Sequence, residues 1–142
     1  MGHAIMYIIF FRDKNWNIAI GKGIPIIKLK KFTVRVLPAT GFFNCTPKYK
    51  GSKFQYIMMF LGGPLANLLS IALLIFLSHI IKANEPTLGQ QNFAWFLRFA
   101  FWAHVFQFIF TAIPMKYSFG PYKGYISDGM RILKKAREKS NS

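Results

Sequence analysis

Residues 56–81 read YIMMFLGGPLANLLSIALLIFLSHII, twenty-six positions without a Lys, Arg, Asp or Glu. A bilayer core takes about 20 helical residues to cross, so this run predicts a transmembrane helix. Pro64 interrupts it chemically, because the ring supplies no amide donor and crowds the carbonyl of Phe60. Gly62 and Gly63 leave room for a neighbouring backbone. Asn67 puts an amide at membrane depth, where it requires a partner at the proline kink or on an adjacent helix.

Working outward, residues 92–113 form a second span dense in Phe and Trp. Arg98 lies within about two turns of its start and can snorkel to the interface. His104 sits nearer the middle. Its plain reading is a neutral imidazole bonded to the next helix, and its functional reading is a ligand or proton relay. The connector, Lys82 to Gln91, holds Asn84, Pro86 and Gly89.

Composition agrees with a membrane class. The chain has 142 residues, is 53% hydrophobic and 18% aromatic, and bears a formal net charge of +15. Such apolarity with such a basic excess is unusual for a soluble globular domain. Residues 12–53 hold ten of the nineteen Lys and Arg residues, and seven more follow from Lys116 onward. These two regions are separated by two spans, so they share one face. Their Lys/Arg excess predicts that this face is cytoplasmic. Nucleic acid is a weaker reading. Trp16, Phe32, Phe42, Phe43 and Tyr49 could stack on bases, but anionic lipid headgroups account for the same charges beside membrane spans.

The remaining segments fill out one membrane domain, residues 1–142. Residues 1–11 are apolar but too short to span, and predict a partial membrane helix or a frayed interfacial one. No basic n-region or cleavage site marks them as a secretory signal. Residues 12–55 form a basic, β-rich segment. Trp16 to Ile20 and the alternating run Ile24 to Leu37 predict a small hairpin or meander that turns at Gly21-Lys22-Gly23. Cys45 stands alone and forms no internal disulfide. After Pro114 comes a loop with Gly120, Pro121 and Gly124. Asp128 is then expected to cap a short basic helix, and Ser140-Asn141-Ser142 to form a disordered end. The predicted fold is therefore mainly α and integral to the membrane. It has two full spans, a partial N-terminal helix and a small β insertion.

Depth relates the two ends of the chain. A helix leaving the membrane near Phe11 puts His3 about 12 Å inside that boundary, at 1.5 Å per residue. Asp128 follows a helix returning to the same side, so the two side chains are expected to meet.

Four short motifs occur in order on these elements: Met1-Gly2-His3-Ala4-Ile5, Gly63-Pro64-Leu65-Ala66-Asn67, Thr111-Ala112-Ile113-Pro114 and Ser127-Asp128-Gly129. Together they resemble the site-2 protease family of intramembrane zinc metalloproteases. That family has H-E-x-x-H on one helix, G-P-x-x-N on a second, then N-x-x-P and D-G. The resemblance implies that His3 is the second zinc histidine and Asp128 a further zinc ligand. Gly63, Pro64, Asn67, Pro114 and Gly129 would be supporting motif residues. It implies a membrane-protein or peptide substrate, and an integral protein of a bacterial plasma membrane.

The departures are specific. The first histidine and the glutamate general base are absent, so no catalytic residue is assigned, and Thr111 replaces the Asn of the third motif. With His3 and Asp128 alone, zinc is short of one ligand and the water of its base. The expectation is an N-terminally truncated or degraded family member, inactive as written. The competing expectation is a small basic polytopic accessory or immunity-type protein without catalysis.

Overall fold

The computed structural model describes residues 1–82, 88–118, 120 and 122–138. The sequence-predicted details at Asn84, Pro86, Pro121 and Ser140-Asn141-Ser142 lie outside the described residues. In chain order the elements are α1 (Gly2–Phe11), β1 (Trp16–Lys28), β2 (Phe32–Cys45), α2 (Lys53–Lys82), α3 (Leu88–Ala112) and α4 (Asp128–Arg137). The class is mixed helix and sheet, not mainly α, because the basic insertion forms two strands of 13 and 14 residues.

Residues 56–81 lie within α2, a helix of 30 residues and about 45 Å. Pro64 stands inside it without ending it. α3 starts at Leu88, four residues before the expected 92, and packs along α2. Both helices are long and apolar enough to cross a membrane, yet only 17% and 6% of their most apolar windows are buried in the protein. Core helices of a soluble domain would be covered there, so these faces suit lipid.

α1 is neither frayed nor isolated. Tyr7 and Phe11 are buried against Met59, with Tyr56, Phe60, Trp16 and Phe43 around them. Glycine makes the crossing possible. A Cβ on Gly2 would lie 1.8 Å from the carbonyl oxygen of Gly62, and one on Gly62 would lie 2.5 Å from that of Gly2. α1 ends at Arg12, whose left-handed backbone (φ 51°) turns the chain toward the sheet.

The expected turn at Gly21-Lys22-Gly23 is corrected. The hairpin reverses at residues 29–31, where the Leu29 amide donates to the Phe32 carbonyl at 2.7 Å. Gly21 and Gly23 instead lie inside β1 with φ of 93° and 90°, and they bend it. A Cβ on Gly21 would also sit 2.6 Å from the Leu37 carbonyl oxygen. The bend lets Ile18 pair with Phe43 on one side and Phe32 on the other. Two long strands thereby make a sheet that is locally several segments wide. Its 41–45 edge is laid against α1 and the loop before α4.

Candidate functional site

His3 and Asp128, 125 positions apart in sequence, meet across α1 and α4. Nε2 of His3 lies 3.2 Å from Oδ2 of Asp128, and both side chains are largely enclosed. The other ring nitrogen fixes the tautomer. Nδ1 of His3 donates to the carbonyl of Met59 at 2.9 Å, so in the neutral ring the Nε2 lone pair points at the carboxylate. Phe43 of β2 stacks on the imidazole with centroids 5.9 Å apart.

Ser127, not the expected Asp128, caps α4. Its Oγ accepts from the Met130 amide at 3.2 Å. The same oxygen accepts from the Met115 amide at 3.0 Å and donates to the Ile113 carbonyl at 2.7 Å. Ser127 is 2% exposed, and burying a neutral hydroxyl at the cap costs less than burying a carboxylate there. Asp128 becomes the first helical residue, with its carboxylate free to face His3. Gly129 lets α4 close on the end of α3, because a Cβ there would lie 1.9 Å from the Ala112 carbonyl oxygen.

Gly63 forms the floor. A Cβ at Gly63 would stand 2.7 Å from Nε2 of His3 and 2.8 Å from Oδ2 of Asp128. The absence of a side chain therefore leaves the space that both polar atoms border. Counting along α2, Gly63 is about 15 Å from Lys53 at the helix start.

The other sequence-predicted residues have different partners. Asn67 Oδ1 accepts from Nδ1 of His104 at 3.1 Å, a bond that ties α2 to α3 and gives His104 its plain reading. Thr111 Oγ1 donates back to the Gln107 carbonyl at 2.8 Å, within its own helix. Pro114 follows the end of α3 and leads into the strap that Ser127 holds. Sequence reasoning missed Ser127 as the organising hydroxyl and Met59 as the carbonyl that orients His3. Ser127 was adjacent to a better-known motif, and a backbone carbonyl carries no sequence signal.

Chemically, the pair offers one nitrogen and one oxygen donor. Ligand bonds to zinc are about 2.0–2.2 Å, and a tetrahedral ion spaces two donors by about 3.4 Å. The observed 3.2 Å fits that spacing, and Gly63 keeps a side chain out of the pair. The donor count does not reach a full set, since no group of three or more His, Cys, Asp or Glu side chains converges among the described residues. No family model matches the chain, and no curated protein or solved structure matches it either.

Proposed function

We propose that this chain carries the His3 and Asp128 portion of the zinc site of an intramembrane metalloprotease of the site-2 type. The single observation that supports it is the apposition of Nε2 and Oδ2 at 3.2 Å over a glycine floor. With the Met59 carbonyl holding the Nδ1 proton, a neutral His3 and an ionised Asp128 would face each other with lone pairs only. Something positive belongs between them, either a proton or a metal cation.

A zinc ion bound there would lower the pKa of a coordinated water and polarise a substrate carbonyl. His3 and Asp128 would supply two protein donors, Met59 the orientation of His3, and Ser127 the placement of Asp128. Among the described residues no glutamate joins His3 and Asp128 to serve as general base, so the pair by itself does not supply peptide hydrolysis. The substrate would be a membrane-embedded polypeptide, reached through the lipid-compatible faces of α2 and α3. Residues 12–53 and α4 would face the cytoplasm.

Zinc content measured on purified protein tests this reading. The chain alone is expected to retain little zinc. A version preceded by an apolar helix ending in His-Glu is expected to hold about one zinc per chain. His3→Ala or Asp128→Ala should weaken that binding by more than about 100-fold. An extended version that binds no zinc would leave His3 and Asp128 as a protonated ion pair joining two helices. That outcome favours the non-catalytic accessory protein.

A further inference from the structure

A second site lies away from the His3–Asp128 pair, where α1 leaves its helix and the sheet begins. An open cavity of about 530 Å³ is lined by Arg12, Lys14, Lys30, Lys31, Lys48 and Trp16. Five cationic residues from three segments thus converge on one concave surface. Among the described residues, no carboxylate lies within ion-pair distance of any of them.

Asp13 also lines the cavity, but its carboxylate is committed to the backbone and to Tyr7. Its Oδ1 accepts from the Asn15 amide at 3.0 Å, and its Oδ2 accepts from the Lys48 amide at 3.1 Å and the Tyr7 hydroxyl at 3.1 Å. Asp13 therefore shapes the cavity by drawing residues 15 and 48 together. Lys31 is positioned too: its ammonium donates to the Lys14 carbonyl and lies 4.6 Å from the Trp16 ring centroid.

The surroundings are apolar on both sides. Ile5, Ile8 and Ile9 on α1 are exposed up to the turn at Arg12. Ile24, Ile26, Ile27 and Leu29 are exposed on the sheet beside Lys30. Exposed aliphatic surface that gives way to clustered ammonium groups and an indole is the chemistry of the level at which phospholipid phosphates lie. Lys and Arg bind phosphate through charge-assisted hydrogen bonds, and the flanking aliphatic side chains can take the acyl chains.

We propose that this cavity binds the phosphate headgroup of an anionic phospholipid. The site is independent of any metal at His3 and Asp128.

The full chain, with Trp95→Phe and Trp102→Phe so that Trp16 is the single indole, is placed in phosphatidylcholine nanodiscs with a rising fraction of phosphatidylglycerol. Trp16 emission should change saturably. Lys30→Gln, Lys31→Gln and Lys48→Gln together should raise the half-saturating fraction by at least about tenfold, whereas the three Lys→Arg changes should largely preserve it. Lys116→Gln, Lys123→Gln and Lys134→Gln, which remove the same charge outside the cavity, should leave the midpoint in place. An equal shift from that second set would reduce the effect to bulk charge and overturn the site. So would saturation by inorganic phosphate in pure phosphatidylcholine discs with no response to phosphatidylglycerol, which would assign the cavity to a free anion. If the Gln variant does not fold, salt decides: a midpoint for the otherwise unaltered protein that does not move between low and high ionic strength refutes the proposal.

Discussion

Removing the Ser127 hydroxyl would strip three bonds from one buried point. The α4 cap, the Met115 amide and the Ile113 carbonyl would each lose a partner. Loss of a cap costs about 1 kcal/mol and an unpaired buried group about 1–3 kcal/mol, so Ser127→Ala should destabilise by about 2–4 kcal/mol. Reversible unfolding in mixed micelles measures it, and a loss under 1 kcal/mol would show that the strap does not depend on this hydroxyl. Gly63→Ala tests the neighbouring residue differently. Its Cβ would stand against both polar atoms of the site, so zinc uptake by the His-Glu-extended protein should fall while the helices persist by circular dichroism. Asp13 gives a pH signature outside the spans. Burial would raise its carboxyl, but the Asn15 and Lys48 amides, the Tyr7 hydroxyl and the Lys14 amide more than offset this and hold it below its ordinary value of 3.8. Because the folded value is the lower one, its stabilisation is complete above that ordinary value and is lost as pH falls through the folded value. Asp13→Asn should therefore be less stable at neutral pH and lack this part of the acid transition. At this scale the meeting of His3 and Asp128 was legible, since the motifs that carry them sit on helix ends expected at the same side. The sequence put the cap at Asp128 where the structure has Ser127, because both residue types cap well and only burial separates them.

Among the elements, the sheet was the least legible. Gly21-Lys22-Gly23 reads as a turn on composition, yet the reversal uses Leu29, Lys30 and Lys31, which carry no glycine or proline. The distinction depends on what faces each glycine in three dimensions. Gly21 has a positive φ and the Leu37 carbonyl against it, whereas Gly23 has a positive φ and open space. Gly23→Ala should therefore cost about 1 kcal/mol, the conformational part alone. Gly21→Ala should cost distinctly more and expose the amides of residues 34–37 to hydrogen exchange. Equal effects at the two positions would mean that the strands do not press together at the bend. The helices were easier to read, because an apolar run of that length has few alternatives. Their boundaries moved by only a few residues at α2 and by four at the start of α3.

For the molecule as a whole, charge and exposure argue together. α2 and α3 leave their apolar faces uncovered, and the Lys and Arg residues gather in the sheet region and α4, which is bound to the start of α2 through Lys53 and the Ala136 carbonyl. With Cys45 replaced by Ser, a maleimide applied from one side of sealed vesicles should label Lys30→Cys and Lys134→Cys alike. Labelling of the two from opposite sides would overturn the two-span arrangement. The residue counts point to this arrangement, since the two basic regions flank two long apolar helices. The packing of α1 was not legible, because it rests on the Gly2 and Gly62 backbones touching, and contact between glycines writes no hydrophobic pattern.

One imidazole precedes its carboxylate by 125 residues, and the helix bearing the carboxylate docks on structure made in between. During translation, His3 emerges early and has no acidic partner until α4 has left the ribosome and closed over Ala112. The pair is thereby absent from every unfinished chain, and a polypeptide arrested before that last helix would carry His3 without its carboxylate.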